Sequence, residues 1–326
     1  MKRTLIFGGI AGTILILALF IHSGMADVMH AAERVGWEGL LLMALARCAL
    51  FPPCALAWWL LSTRDTCLRT FLWASWVRAA VGELFITPPL GSEAAGMRVL
   101  TNSGMRMVDA AACTVADLTL DLGSQAVFAM TGLMLLAVTV PDAPWLWPGL
   151  MASMLAAATI TGFALAQKGG LFHWLEVKLS RWSDGWLHAM HLSMQGMHAR
   201  MTVIYRRPWH LIGSFLLQYG AWMIGVIPTW IGLSFLGHPL AWHQVIALDA
   251  MVFAARGVAF VMPAGVGVQE GAYVLLGQLF GLDAASALVL SLVRRASDWL
   301  ATFPALLIWQ SFEGHRLHRA SRPVQE

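Results

Sequence analysis

Apolar runs of about twenty residues alternate with short polar connectors along this chain, the spacing of a protein that crosses a bilayer. Full spans are expected near 4–22, 39–61, 108–139, 145–166, 209–236 and 284–310. Two further segments, 70–106 and 243–282, are apolar but broken. The first contains Pro88-Pro89-Leu90-Gly91-Ser92-Glu93-Ala94-Ala95-Gly96-Met97-Arg98. The second contains Pro263-Ala264-Gly265-Val266-Gly267-Val268-Gln269-Glu270-Gly271. Pro and Gly interrupt helices, and bilayers tolerate such breaks only where the backbone is buried in protein or lines a cavity. A carboxylate inside each break is costly at membrane depth and marks a candidate site. The 108–139 run is longer than a span needs, so it is expected to tilt or to begin with an interfacial turn.

Lys and Arg placement sets the topology. Lys2 and Arg3 hold the N-terminus in the cytoplasm, and the following apolar run reads as a retained signal anchor. Loop 23–38, with Arg34 against Asp27, Glu33 and Glu38, reads as outside. Arg64 and Arg69 put 62–69 inside. Loops 140–144 and 237–242 carry no Lys or Arg and read as outside. Lys168, Lys178, Arg181, Arg200, Arg206 and Arg207 put 167–208 inside, and Arg316, Arg319 and Arg322 do the same for the tail. Segment 70–106 must then begin and end inside, and segment 243–282 outside. Both read as re-entrant hairpins from opposite faces, each followed by a full span, which is an inverted repeat of the transporter kind. Val108-Asp109-Ala110-Ala111 after the first and Leu282-Asp283-Ala284-Ala285 after the second agree with it.

The expected fold is an all-α polytopic membrane protein with about six full transmembrane helices and two broken hairpins. An N-terminal half, 1–166, and a C-terminal half, 209–326, flank a linker, 167–208. In the linker Leu171, Leu175, Leu179, Trp182, Trp186, Met190, Met194, Met197 and Met201 recur at helical spacing. Arg181, Asp184, His188, Gln195 and Arg200 fall off that stripe. This is an amphipathic helix lying on the cytoplasmic interface, either packed on the bundle or sensing lipid.

Composition supports the membrane reading. Of 326 residues, 58% are hydrophobic and 12% charged, against about 25% charged in soluble domains. Sixteen tryptophans suit interfacial belts. No basic stripe interleaved with aromatics appears, so nucleic acid is not an expected partner. Cys48, Cys54, Cys67 and Cys113 lack metal spacing and read as small buried hydrophobes. His188, His191 and His198 have no carboxylate or cysteine to complete a metal site and read as a solvated face. Gly265, Gly267 and Gly271 do not make a dinucleotide fingerprint, and no cofactor or metal is expected.

Glu270 and Glu93 are the sharpest candidates. They either engage a headgroup, cation or proton in a hydrated path, or pair with an arginine to hold hairpin to bundle. Arg98 is the expected partner of Glu93, and Arg256, Arg294 or Arg295 of Glu270. Arg78 and Glu83 sit in the first broken segment. Asp117 and Asp121 lie four apart on one helix face, as do Arg294 and Asp298 beside Arg295. Such faces must turn inward, and pairing between these two helices is expected.

The stretch Gly267–Gly271, with Leu275–Gly277, Arg294–Arg295 and Trp309–Gln310 after it, resembles the lysylphosphatidylglycerol synthase transmembrane (flippase-like) superfamily. Within it, the nearest resemblance is to the hopanoid-biosynthesis-associated branch called HpnL. Gly91, Glu93, Gly96 and Arg98 fit its first-half pattern, and Asp117–Asp121 fits an Asp-Leu-Thr-Leu-acid pattern that ends in Asp here instead of Glu. The resemblance implies handling of membrane lipid, with a hopanoid or phospholipid as cargo in a bacterial inner membrane. In the synthase relatives a separate soluble domain attaches the amino acid. The tail here, ending at Glu326, is too short for one, and an enzyme is not expected. A lipid translocase is the first expectation. A factor that binds and organises hopanoid-synthesising enzymes is the second. The expected translocation path comprises Glu270, Glu93, Gly265, Gly267, Gly271, Gly91, Arg98, Asp117, Asp121, Arg78, Arg294, Arg295 and Asp298.

Overall fold

A computed structural model describes residues 25–62, 66–84, 89–139, 146–169, 196–258 and 267–320, with Leu171 and Trp174. Helices are the only regular structure among them. They are α1 (Met25–Cys48), α2 (Phe51–Leu60), α3 (Leu68–Leu84), α4 (Pro89–Asn102), α5 (Met107–Thr139) and α6 (Leu146–Lys168). Then come α7 (Met197–Tyr205), α8 (Pro208–Ile224), α9 (Ile227–Phe235), α10 (Trp242–Val258), α11 (Val268–Gly277) and α12 (Ala284–Ala320).

Three helical stretches among the described residues are long and apolar enough to cross a membrane: Ala26–Leu60, Met107–Thr139 and Pro208–Phe235. They fall on the spans expected at 39–61, 108–139 and 209–236. Helices α6 and α12 lie where 145–166 and 284–310 were expected, and the segment 4–22 lies outside the described residues.

One expected loop is a helix. Residues 25–38 are helical because Val28, Ala31 and Val35 recur at helical spacing and are buried, while His30, Glu33 and Arg34 stay exposed. The break comes at Gly36, whose φ of 56° favours glycine. The cysteines divide too: Cys113 is buried, Cys48 and Cys54 are half-buried, and Cys67 is exposed just before α3.

Two of the spanning stretches are broken in the same manner. The first breaks between α1 and α2, with Pro52 and Pro53 opening α2. The second breaks between α8 and α9, with Pro228 opening α9. Proline lacks the N–H that would continue the ladder, so it is accommodated in a first helical turn.

Both broken segments form helical hairpins. Helix α3 packs on α4, and α10 packs on α11. Each hairpin precedes a long helix, α5 or α12. The packing between halves is reciprocal. Helix α12 rests on α1 and α3, α5 rests on α8 and α10, α2 meets α8, and α1 meets α9. Helices that share a bilayer gain little from apolar burial and depend on close backbone approach through small residues. Gly132 of α5 faces Ala250 of α10 so closely that any side chain there would collide with it. A Cβ on Gly232 of α9 would meet Leu290 of α12 at 2.7 Å.

Of the expected amphipathic helix 171–201, residues 175–195 lie outside the described residues, His188 and His191 among them. Its end is α7, which packs on α5 and buries Met197, Met201 and Ile204 in the core of the first half. Arg200 Nε lies 2.9 Å from Asp109 Oδ1, and Arg106 Nε donates to Asp109 Oδ2 at 2.8 Å. Tyr205 donates to Gln167 at 2.7 Å, and Gln167 to Thr119 at 2.9 Å. Asp109 is nearly fully buried, so Arg200→Ala removes part of its counter-charge. Hydrogen exchange in 197–205 is expected to quicken about five- to tenfold, with the middle of α5 unchanged. Unchanged exchange in α7 would remove this anchor.

Candidate functional site

Arg294 of α12 is the centre of one charge network. It donates from Nη1 to Thr229 Oγ1 at 2.6 Å and from Nη2 to the Gly225 carbonyl at 2.9 Å. Asp249 Oδ2 lies 3.5 Å from Nη1. Thr229 in turn donates to Asp249 at 2.9 Å, and Tyr273 donates to its Oδ1 at 2.7 Å. Four segments are thus tied together: the α8–α9 break, both arms of the second hairpin, and α12. Gly225 lies at the break, where helical carbonyls lose their usual partners. Arg294 is 3% exposed and Asp249 is fully buried, so each charge depends on the other and on these hydrogen bonds.

Glu270 sits one turn into α11, fully buried. Arg295 donates to its Oε1 from Nε at 3.1 Å and from Nη2 at 2.8 Å. The other oxygen, Oε2, accepts the Gly267 N–H at 2.7 Å. Gly267 has φ 83°, a conformation that strains any residue bearing a Cβ. A glycine-rich approach followed by a carboxylate three residues on is how this helix start satisfies its own backbone. Gly271 continues that turn, its N–H bonding the Gly267 carbonyl. Of the three arginines expected for Glu270, Arg295 is the one that bonds it. Gly265 lies outside the described residues.

The first half also pairs its hairpin with its long helix, and Arg78–Asp117 has the signs of Asp249–Arg294 reversed. Arg78 of α3 lies 2.6 Å from Asp117 of α5 and 3.2 Å from Glu93 of α4. Its guanidinium also stands over the Trp58 ring, 4.7 Å from the centroid. Gln218 of α8 donates to Asp117 at 2.9 Å, and Trp222 donates to Asp121 at 3.1 Å. Glu93 therefore pairs with Arg78 and not with the expected Arg98, which is exposed on α4. Helical spacing explains it. Arg98 is five residues from Glu93 and points elsewhere, while α3 packs directly alongside α4. Gly91 is half-buried at the start of α4.

Direct pairing of Asp117 and Asp121 with Arg294 and Asp298 is not what forms. Each long helix instead pairs with a hairpin: Asp117 with Arg78, and Arg294 with Asp249. Contact between halves runs through other residues. Arg47 Nε of α1 lies 2.9 Å from Asp298 Oδ1. Arg47 Nη2 lies 3.6 Å from Glu83 at the end of α3, and Arg256 of α10 lies 3.8 Å from that same glutamate. The first arms of the two hairpins thus meet through the ends of α3 and α10.

Two residues of this site, Asp249 and Arg47, are absent from the expected set. Each interrupts an otherwise apolar run, 39–61 for Arg47 and 245–255 for Asp249, and a charge at such depth is itself a signal. A second signal was also present. Glu93 and Glu270, Asp117 and Arg294, and Asp121 and Asp298 are all separated by the same number of residues. No group of described His, Cys, Asp and Glu residues has the geometry of a metal site.

Comparison with curated proteins and with solved structures gave no match. A family model described as the lysylphosphatidylglycerol synthase TM region matches residues 5–305. Because that match takes in both hairpins, both charge networks and the α5 helix between them, the chain belongs to the lysylphosphatidylglycerol synthase TM region family.

Proposed function

We propose that this protein moves an amphiphilic lipid across the bacterial inner membrane, acting by binding and passage without a covalent step. The observation that carries the reading is the buried ion pairing of each hairpin with the long helix that follows it. Moving a headgroup through a bilayer needs polar groups held at depth, and a charge is retained there only when paired. Broken helices supply the irregular backbone that such a path uses. The family match supports lipid handling. The hopanoid branch rests on the motifs at 267–271 and 294–310, and phospholipid is the related cargo class.

The reciprocal packing and the opposite Lys and Arg bias of the connectors support an inverted repeat of 1–166 and 209–326 joined by 167–208. Six spans and cytoplasmic termini belong to the same reading. The path runs between the hairpins and includes Glu93, Glu270, Arg78 and Arg295, with Asp249 added.

The test compares lipid content of purified inner and outer membranes with the chain intact, deleted, or carrying Glu270→Gln. Deletion and Glu270→Gln are expected to hold hopanoid in the inner membrane with total synthesis unchanged. Total hopanoid falling instead, or an unchanged distribution for both lipid classes, would favour the organising role over movement.

A further inference from the structure

The two charge networks differ in balance. In the second half and at its contact with the first, Arg47, Arg256, Arg294 and Arg295 stand against Glu83, Asp249, Glu270 and Asp298, one cation for each acid. In the first half Arg78 alone serves Glu93, Asp117 and Asp121. It is committed to Asp117 at 2.6 Å and to Glu93 at 3.2 Å. Asp121, one turn further along α5, has the neutral Trp222 N–H at 3.1 Å as its one donor among the described residues. From α2, Cys54 is the titratable side chain that senses it. The other neighbours of α5 bring no counter-charge. Helix α8 presents neutral Gln218 and Trp222, α6 has no ionisable residue before Lys168, and Arg98 of α4 is exposed. Helix α10 sets Arg256 over Phe253, which packs on Trp222, and commits it to Glu83, with Asp249 committed to Arg294. Arg200 of α7 is held by Asp109, about three turns earlier on α5. A second observation falls on the same face. Ser214 of α8 is fully buried, and its hydroxyl has no partner among the described residues. It lies one turn before Gln218, whose amide reaches Asp117.

We propose that Asp121 is a proton-binding site and that lipid passage exchanges its proton. The inference rests on the translocase reading and names the ion to which movement is coupled. A carboxylate at membrane depth keeps its charge only beside a counter-charge. Arg78 can cancel one of the two acids on this face of α5, and Asp117 holds it. Two ionised acids one turn apart also repel each other. A proton on Asp121 removes that conflict: one carboxylate oxygen becomes an O–H, and Oδ1 goes on accepting from Trp222. A metal cation fits poorly, because it would share the face with a guanidinium and because the described acids lack metal-site geometry. Asp117 is fully buried and Asp121 half-buried, so Asp121 is the acid open to exchange. The Ser214 hydroxyl both donates and accepts, which suits a group that hands a proton toward this face. Release of the proton gives Arg78 a second anion one turn along α5. A guanidinium drawn from Asp117 to Asp121 carries α3 with it. Hairpin position and proton occupancy are then linked, each biasing the other.

Proton binding is read without transport. Infrared spectra of the purified full chain in detergent are taken at neutral pH in light and heavy water. The carbonyl band of a protonated carboxylic acid, shifted by deuterium, is expected in the unmodified chain. It is expected to be lost in Asp121→Asn, kept in Glu93→Gln and returned by Asp121→Glu. Asparagine keeps the acceptor for Trp222 and imitates the protonated acid, so Asp121→Asn should unfold within about two degrees of the unmodified chain. A band that Asp121→Asn leaves undiminished overturns the inference, and so does an Asp121→Asn chain that unfolds well below the unmodified one. In the membrane-fraction assay Asp121→Asn is expected to hold hopanoid in the inner membrane, and Asp121→Glu to release it. A normal hopanoid distribution in Asp121→Asn, with the band lost, overturns the coupling. An unchanged distribution on deletion of the whole chain, with the band behaving as expected, counts against the translocase reading alone.

Discussion

Arg294→Met is expected to destabilise the protein by about 3–5 kcal/mol, the range for removing one member of a buried ion pair. The substitution preserves length and apolar bulk but leaves Asp249, fully buried, without its cation. It also strips the donors from Thr229 Oγ1 and from the Gly225 carbonyl. The loss is felt in four segments at once, so unfolding in detergent should shift as one cooperative transition. Arg294→Lys is expected to recover only a small part. An ammonium is a point charge and cannot reach Thr229 and Gly225 together as the guanidinium fork does. Thermal unfolding of the purified variants checks this. A midpoint within a degree or two of the unmodified chain would mean that Asp249 finds another partner or sheds its charge.

Arg78→Gln is the second large effect, about 3 kcal/mol by the same reasoning. It leaves Asp117, buried in α5, with only the Gln218 amide as a donor partner, and it removes the cation from the face of Trp58. Asp117→Asn in the same chain removes the charge that Arg78 balances. The double variant should therefore be more stable than the sum of the two single changes by roughly 1–3 kcal/mol, the coupling expected of residues in contact. Strict additivity would show that the hairpin is held to α5 by packing alone.

The hairpins are legible in the sequence because Pro, Gly and a carboxylate interrupt otherwise apolar runs. Their partners are less legible. Ion pairing inside a bundle is decided by which helices pack together, and that is a property of the whole fold. Glu93 finds Arg78 because α3 and α4 are antiparallel neighbours, a contact that spacing along α4 cannot report. The partners of Asp249 are hidden for a related reason. Two of its partners, Thr229 and Tyr273, are neutral and distant in sequence, so the charge stands out but the local pattern does not say what holds it. Residues 25–38 read as a loop by their charge bias, but the Val28, Ala31 and Val35 stripe is what buries against the bundle and makes them a helix.

The reciprocal packing also governs the order in which the chain can mature. Ribosomal synthesis delivers α5 to the membrane before α8 and α10 exist. Asp117 and Asp121 therefore arrive without Gln218 and Trp222, and the groove that α5 will fill in the second half has not been made. Arg78 is on hand, but it answers for both acids until then. Neither half encloses its own interior, since α12 completes the first and α5 the second. The nascent protein therefore spends the interval between its two hairpins as an open clasp, and the quality-control machinery of the membrane meets it in that form.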